Sequence, residues 1–261
     1  SVSGSAIKAK VGLPDDLLEI ELNGSYSNQG GTKSVTGEAS AKLLAPIELG
    51  EIGGYGFTVM PTDGFTARVS LSDAGVEEIG GELQIEVAKN GNPFMDLVGS
   101  ATYNRTNEDV STEAAISATV TRTEQIFDNG SVQVHLCEGA MASVLLNSEG
   151  VQRIECTDTT LRFDENNEPL FDLKLNGSYE KQGEAGTFSG EASAKLLRRI
   201  AVATGVAGGY DIYVEESTDY AARCAFDGNG ISEVSGSIKG TVEHADANPF
   251  IHASGEATWV R

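Results

Sequence analysis

Three histidines, His135, His244 and His252, are the only side chains of the 261-residue chain whose ordinary pKa suits proton transfer near neutral pH. None recurs at the matching position of the internal repeat described below, and each reads as a satisfied or exposed histidine rather than a catalytic base. Glycoside hydrolysis would need only two carboxylates roughly 5–10 Å apart across a cleft. Among the 39 acidic residues, Glu38 and Glu191 are the least arbitrary pair, because they sit in identical segments. Strand alternation nevertheless points both toward solvent. No Gly-x-Ser-x-Gly elbow, phosphate-binding loop, dinucleotide fingerprint or His-Glu-x-x-His helix is written in the sequence. The expectation is a chain that is not an enzyme, with no catalytic, cofactor-binding or metal-binding residue and no cofactor.

The hard oxygen ligands that calcium prefers are grouped in Asp227-Gly228-Asn229-Gly230 and Asp164-Glu165-Asn166-Asn167-Glu168. Neither follows the twelve-residue spacing of a helix-loop-helix calcium site, and turn formation accounts for both. Cys137, Cys156 and Cys224 are an odd number without Cys-x-x-Cys spacing, so they read as free thiols. Asn23, Asn104, Asn129 and Asn176 each open an Asn-x-Ser/Thr sequon, a short pattern that also arises by chance. Tyr26/Tyr179, Tyr55/Tyr210 and Tyr103/Trp259 are the duplicated aromatic pairs, and their strand placement suggests packing before carbohydrate stacking.

A net charge of −21 repels phosphates and anionic lipid headgroups, which argues against nucleic acid as a partner. No apolar run approaches the roughly 20 residues of a spanning helix, so no membrane insertion is expected. The opening Ser1-Val2-Ser3-Gly4 lacks the basic start and apolar middle of a signal peptide.

The elements that hold these residues are repeated strands. Leu22-Asn23-Gly24-Ser25-Tyr26 recurs from Leu175 to Tyr179, and Gly37-Glu38-Ala39-Ser40-Ala41-Lys42-Leu43-Leu44 recurs unchanged from Gly190 to Leu197. The match runs on through Gly53-Gly54-Tyr55 and Gly208-Gly209-Tyr210, then Asn92-Pro93-Phe94 and Asn248-Pro249-Phe250, to Ala101-Thr102-Tyr103 and Ala257-Thr258-Trp259. Residues 1–104 therefore form one β repeat unit and 151–261 a second. Residues 105–150 read as connecting strands or a degenerate further repeat. Inside each period there is a weaker echo, in which Pro93 to Tyr103 resembles the strand that carries Leu-Asn-Gly-Ser-Tyr; on that reading the opening strand, Ser3 to Val11, is equivalent to Ser235 to Val242.

Leu18, Ile20, Leu22, Gly24 and Tyr26 alternate with polar residues at period two, as do Leu83, Ile85 and Val87. Turn chemistry in Asn28-Gln29-Gly30-Gly31, Lys89-Asn90-Gly91-Asn92, Asp128-Asn129-Gly130 and Asp227-Gly228-Asn229-Gly230 separates the runs. The fold class is all-β: two internally duplicated antiparallel sheet or sandwich units related by pseudo-symmetry.

Duplicated β units offer similar surfaces to neighbours, and open strand edges can accept a neighbour's strand. The chain is therefore expected to be a structural protein whose partner is itself, in a homo-oligomeric sheet, tube or shell lattice held by edge strands and sheet faces. Its plan of one acidic chain with two similar β halves, carried by the paired Leu-Asn-Gly-Ser-Tyr and Gly-Glu-Ala-Ser-Ala-Lys-Leu-Leu segments, resembles the shell proteins that coat the diatom pyrenoid. That resemblance implies a plastid lattice enclosing a Rubisco-containing compartment, with a transit peptide lost before Ser1. The alternative is an extracellular or cell-surface β repeat module of adhesin type, binding carbohydrate or calcium.

Overall fold

The computed structural model describes every residue except 13–15, 107–108, 184, 207 and 245–248. Asn248, which opens the second Asn-Pro-Phe segment, lies outside the described residues. The protein is all-β, 79% strand with no helix among the described residues, and its strands pair antiparallel.

In chain order the first strands are β1 (Val2–Val11), β2 (Leu18–Gln29), β3 (Thr32–Leu43), β4 (Ile47–Ile52), β5 (Tyr55–Met60), β6 (Ala67–Ser72), β7 (Gly75–Lys89), β8 (Asn92–Thr106) and β9 (Asp109–Val120). The connecting region holds β10 (Glu124–Asp128), β11 (Val132–Leu136) and β12 (Met141–Asn147). Then follow β13 (Gly150–Glu165), β14 (Glu168–Gln182), β15 (Ala185–Leu196), β16 (Ile200–Val206), β17 (Tyr210–Val214), β18 (Ala222–Asp227), β19 (Gly230–His244) and β20 (Pro249–Val260).

Turn residues fix the hairpins. Gly30 and Gly31 (φ +62° and +89°) join β2 to β3, Asn90 and Gly91 (+50° and +77°) join β7 to β8, and Asn166 and Asn167 (+54° and +67°) join β13 to β14. Two consecutive residues with positive φ give a turn whose twist matches that of the strands it connects, and Gly and Asn tolerate that backbone at least cost.

The chain divides into two compact units, Ser1–Thr121 with Ser143–Arg153, and Arg122–Ala142 with Ile154–Arg261. In the first unit the strands run β1–β2–β3–β6–β7–β8–β9, each antiparallel to the next. The β4–β5 hairpin docks on the C-terminal half of β7, where Tyr55 faces Lys89 and Met60 faces Gln84. In the second unit the order is β14–β15–β18–β19–β20, with the β16–β17 hairpin on β19. There β11 pairs along Leu161–Glu165 of β13 and carries β10 on its other side.

The segments repeated in sequence are paired alike. Leu22 faces Ala39 and Gly24 faces Gly37; Leu175 faces Ala192 and Gly177 faces Gly190. Period-two alternation then aligns whole rows of side chains on one face. One row reads Ile7–Leu22–Ala39–Val69–Ile79–Tyr103. Its counterpart in the second unit reads Leu175–Ala192–Cys224–Val234–Trp259. The opposite face carries polar rows such as Lys8–Glu21–Ser40–Arg68 and Lys174–Ser193–Arg223–Ser235.

Buried apolar side chains are few: among the described residues only Val87, Phe94, Val120 and Ala140 form the core, and no large side chain is fully enclosed. Met95 brings the first three together, facing Val87 on one side and Val120 on the other. The Tyr55 ring closes that cluster, with its centroid 5.9 Å from that of Phe94.

Candidate assembly surface

Backbone pairing identifies the first part of the surface. Among the described residues β1 is bonded only to β2, and β20 only to β19, so each presents a row of N–H and C=O groups along its outer edge. Such an edge is a template for another strand.

β1 is kinked by a bulge. Its register with β2 shifts between Gly4, opposite Gly24, and Ile7, opposite Leu22, leaving Ser5 and Ala6 together opposite Asn23. Ala6 takes a left-handed backbone (φ +53°), and its N–H donates to Asn23 Oδ1 at 2.6 Å. The same hydrogen bond recurs in β13, where Asp158, also left-handed (φ +51°), donates its N–H to Asn176 Oδ1 at 2.8 Å. The repeated Asn of Leu-Asn-Gly-Ser-Tyr thus clamps a left-handed residue of the preceding strand, which in β1 sits at the bulge. It supplies the acceptor that the interrupted ladder cannot, and a bulge of this kind deepens the local twist of an edge. Asp158 also takes Lys174 Nζ at 2.6 Å, a hydrogen bond that pushes the Lys174 pKa up.

The apolar face supplies the second part. Leu22, Ile79, Leu83, Ile116, Val234 and Ile251 are all exposed, and Ile7 (57%), Ile238 (55%) and Trp259 (52%) more than half so. Scattered exposed apolar residues are ordinary on a soluble protein, but aligned rows of them mark a contact surface. The polar face, by contrast, satisfies its own charges. Lys8 reaches Glu21 at 3.3 Å and Glu19 at 3.5 Å, Lys42 reaches Glu19 at 3.4 Å, and both lysines lie over the Phe65 ring. The hydrogen bond to Glu21 raises the Lys8 pKa. In the second unit Arg199 spans Glu215 and Glu243 and stacks 3.5 Å from the Tyr213 ring centroid.

The residues singled out for chemistry sit in separate surroundings. His135 Nε2 lies 3.2 Å from Asp164, His244 packs edge-on to Tyr210, and His252 Nδ1 shares a hydrogen bond with Thr241 Oγ1 at 3.1 Å. Glu191 pairs with Arg223 at 2.7 Å and accepts from Ser193, whereas Glu38 stands exposed opposite Asn23 and Ser70. Asp227 is bound by Arg261 through both carboxylate oxygens (2.8 and 2.7 Å) and by the Asn229 N–H. The Arg261 bond is the main reason that its pKa lies below the usual carboxylate value. Glu165 and Glu168 flank the Asn166-Asn167 turn and both meet Arg198. Among the described residues no three His, Cys, Asp or Glu side chains converge as metal ligands would. The three cysteines are free, and burial holds the Cys137 thiol above its ordinary pKa.

The aromatic pairs diverge. Tyr103 is half-buried and has Thr112 of β9 beside it, whereas Trp259 stands exposed on the open edge. Tyr26 is exposed, while the Tyr179 ring lies over Gly186, where an added Cβ would fall 2.2 Å from it. A groove of about 820 Å³ opens in the second unit, where Phe171, Leu196, Val214 and Ile238 meet Lys195 and Gly255.

Comparison with protein-family models and with curated proteins yields no match for the chain. The surface must be read from its own geometry. Sequence reasoning had no means of finding the bulge clamp beyond the recurrence of Asn23 and Asn176. It also could not tell which of two related strands would be left open.

Proposed function

We propose that the protein is a non-enzymatic structural protein, built from two copies of one β unit in tandem, that assembles with itself into a sheet, tube or shell. The observation that carries this reading is the pair of one-sided edge strands, β1 and β20, bordering rows of exposed Ile, Leu, Val and Trp side chains. The recurrence of the Leu22–Ala39 and Leu175–Ala192 registers, and of the left-handed residue held by Asn23 and by Asn176, supports common descent of the two halves. Backbone groups at an edge and apolar rows on a face both gain from a neighbour, and the small number of buried apolar side chains among the described residues leaves much apolar area for that contact. The resemblance to pyrenoid shell proteins extends the proposal to a plastid lattice around a carbon-fixing compartment.

The net charge of −21 opposes association at low ionic strength, so salt should promote assembly by screening. Negative-stain microscopy and light scattering across protein and salt concentration test the reading. Regular tubes or sheets that grow with salt support it. Monodisperse monomers throughout overturn it.

A further inference from the structure

β8 and β20 occupy corresponding places. Against β7, Tyr103 faces Ile79, Gly99 faces Leu83 and Met95 faces Val87; against β19, Trp259 faces Val234, Gly255 faces Ile238 and Ile251 faces Val242. On its far side β8 carries β9, with Ile116 opposite Gly99 and Val120 opposite Met95. β20 carries nothing there among the described residues, and no side-chain or backbone atom outside its immediate chain neighbours lies within 4 Å of a Cβ built on Gly255.

Each strand that flanks β8 or β20 follows one rule. A branched aliphatic side chain faces the central Gly, and Val stands four residues further on: Leu83/Val87, Ile116/Val120 and Ile238/Val242. Large side chains over glycine fill the space that glycine leaves in a sheet. β1 has the same pair, Ile7 and Val11. It already presents them in the same frame to β2, with Val11 opposite Leu18, Ile7 opposite Leu22 and Val2 opposite Tyr26. Its sequence Ser3-Gly4-Ser5-Ala6-Ile7-Lys8-Ala9-Lys10-Val11 repeats the Ser235-Gly236-Ser237-Ile238-Lys239-Gly240-Thr241-Val242 of β19, with Ala6 as the bulged extra residue.

We infer that β1 of one copy pairs antiparallel with the open edge of β20 of a second copy, with Val11 opposite Ile251, Ala9 opposite Ala253, Ile7 opposite Gly255 and Val2 opposite Trp259. The inference rests on the self-assembly reading and names its interface. Ile7 belongs to the apolar row that ends at Tyr103, and Trp259 ends the corresponding row of the second unit, so the joint continues the same face on both sides. The bulged Ser5 and Ala6 fall opposite Glu256, as they fall opposite Asn23 within the chain. On the polar face Lys8 and Lys10 meet Ser254 and His252, next to Glu256, which places cations at the joint of a strongly acidic protein. Because the two edges differ, the contact is head-to-tail, and copies add in series until a rotation closes them into a ring.

The test uses full-length chains in which Cys137, Cys156 and Cys224 are replaced by alanine, with unchanged circular dichroism required. Single variants are mixed in pairs and oxidised, and parallel samples are joined with a bis-maleimide short enough to span one strand spacing. The matched pairs, Ile7→Cys with Gly255→Cys and Val11→Cys with Ile251→Cys, should give covalent dimers at least tenfold in excess of the offset pair Val11→Cys with Gly255→Cys. In the unmodified protein the emission of Trp259, the single tryptophan, should shift to the blue as particles form. Particles visible by microscopy without matched cross-links or an emission shift would overturn this interface and leave self-assembly standing. Monomers at every concentration would overturn both.

Discussion

β8 and β20 are near relatives in sequence and in register, yet one lies between two strands and the other borders a single strand. In β8 Met95 and Tyr103 are half-buried. In β20 Ile251 and Trp259 stand exposed. Side-chain type and cross-strand partner on one side are alike, so burial here is decided by the presence or absence of the second neighbour. An apolar strand in this protein is inside or outside according to what sits next to it.

The largest expected effect breaks the covered side of that comparison. Phe94→Ala should destabilise the first unit by about 3–5 kcal/mol, the range for removing a buried aromatic ring, read as a shift in urea midpoint at unchanged slope. Loss of only a few tenths would mean that Val87, Phe94 and Val120 are not a working core. Asp172→Ala comes next. Asp172 is buried and accepts from Arg162 at 3.0 and 3.3 Å, and the bond raises the Arg162 pKa. Because Arg162 is partly exposed, the expected cost is about 1–3 kcal/mol, again by urea denaturation.

Asn23→Ala and Asn176→Ala each remove the acceptor of an exposed left-handed N–H and should cost up to about 1 kcal/mol, the net worth of one hydrogen bond. Faster amide exchange should appear at Ala6 in the first and at Asp158 in the second. Equal exchange in variant and parent would remove the clamp from the account. On the open side, Trp259→Ala should change monomer stability by less than about 0.5 kcal/mol, since an exposed side chain has little burial to lose. It should still raise the concentration needed for assembly several-fold.

The smallest effect sharpens the end of β20. Asp227 holds Arg261, and its carboxyl pKa is depressed in the folded chain. A depressed carboxylate pKa contributes stability above the unfolded value, lost as pH falls through the folded one. Acid should therefore loosen the tether of Arg261 to the β18–β19 turn, read by carboxyl NMR titration of Asp227. In Arg261→Ala that titration should move up toward the ordinary value. No movement would show the pair unformed in solution.

Much of the strand content was legible in the sequence. The alternation of Leu18, Ile20 and Leu22 and of Leu83, Ile85 and Val87 falls in β2 and β7, and Asn90-Gly91 supplies the positive-φ residues of a hairpin. These signals are local, set by the period of a pleated strand and by steric limits on φ. What escaped depends on distant neighbours. Nothing within Pro249–Val260 says that its second edge stays open, because β8, written almost alike, has β9 beside it. Gly190 shows the same limit. Its octapeptide is identical to that around Gly37, but a Cβ at Gly190 would fall 2.5 Å from the Phe226 ring, whereas at Gly37 it would meet only the Asn23 carbonyl oxygen at 3.7 Å. Phe226 stands on another strand, so the requirement for glycine was invisible in the repeat itself.

The alternation of greasy and charged rows gives each unit a front and a back. Water wets the side that carries the Lys–Glu ladder at no cost, so anything that covers a unit gains most by lying against its other, water-shy side.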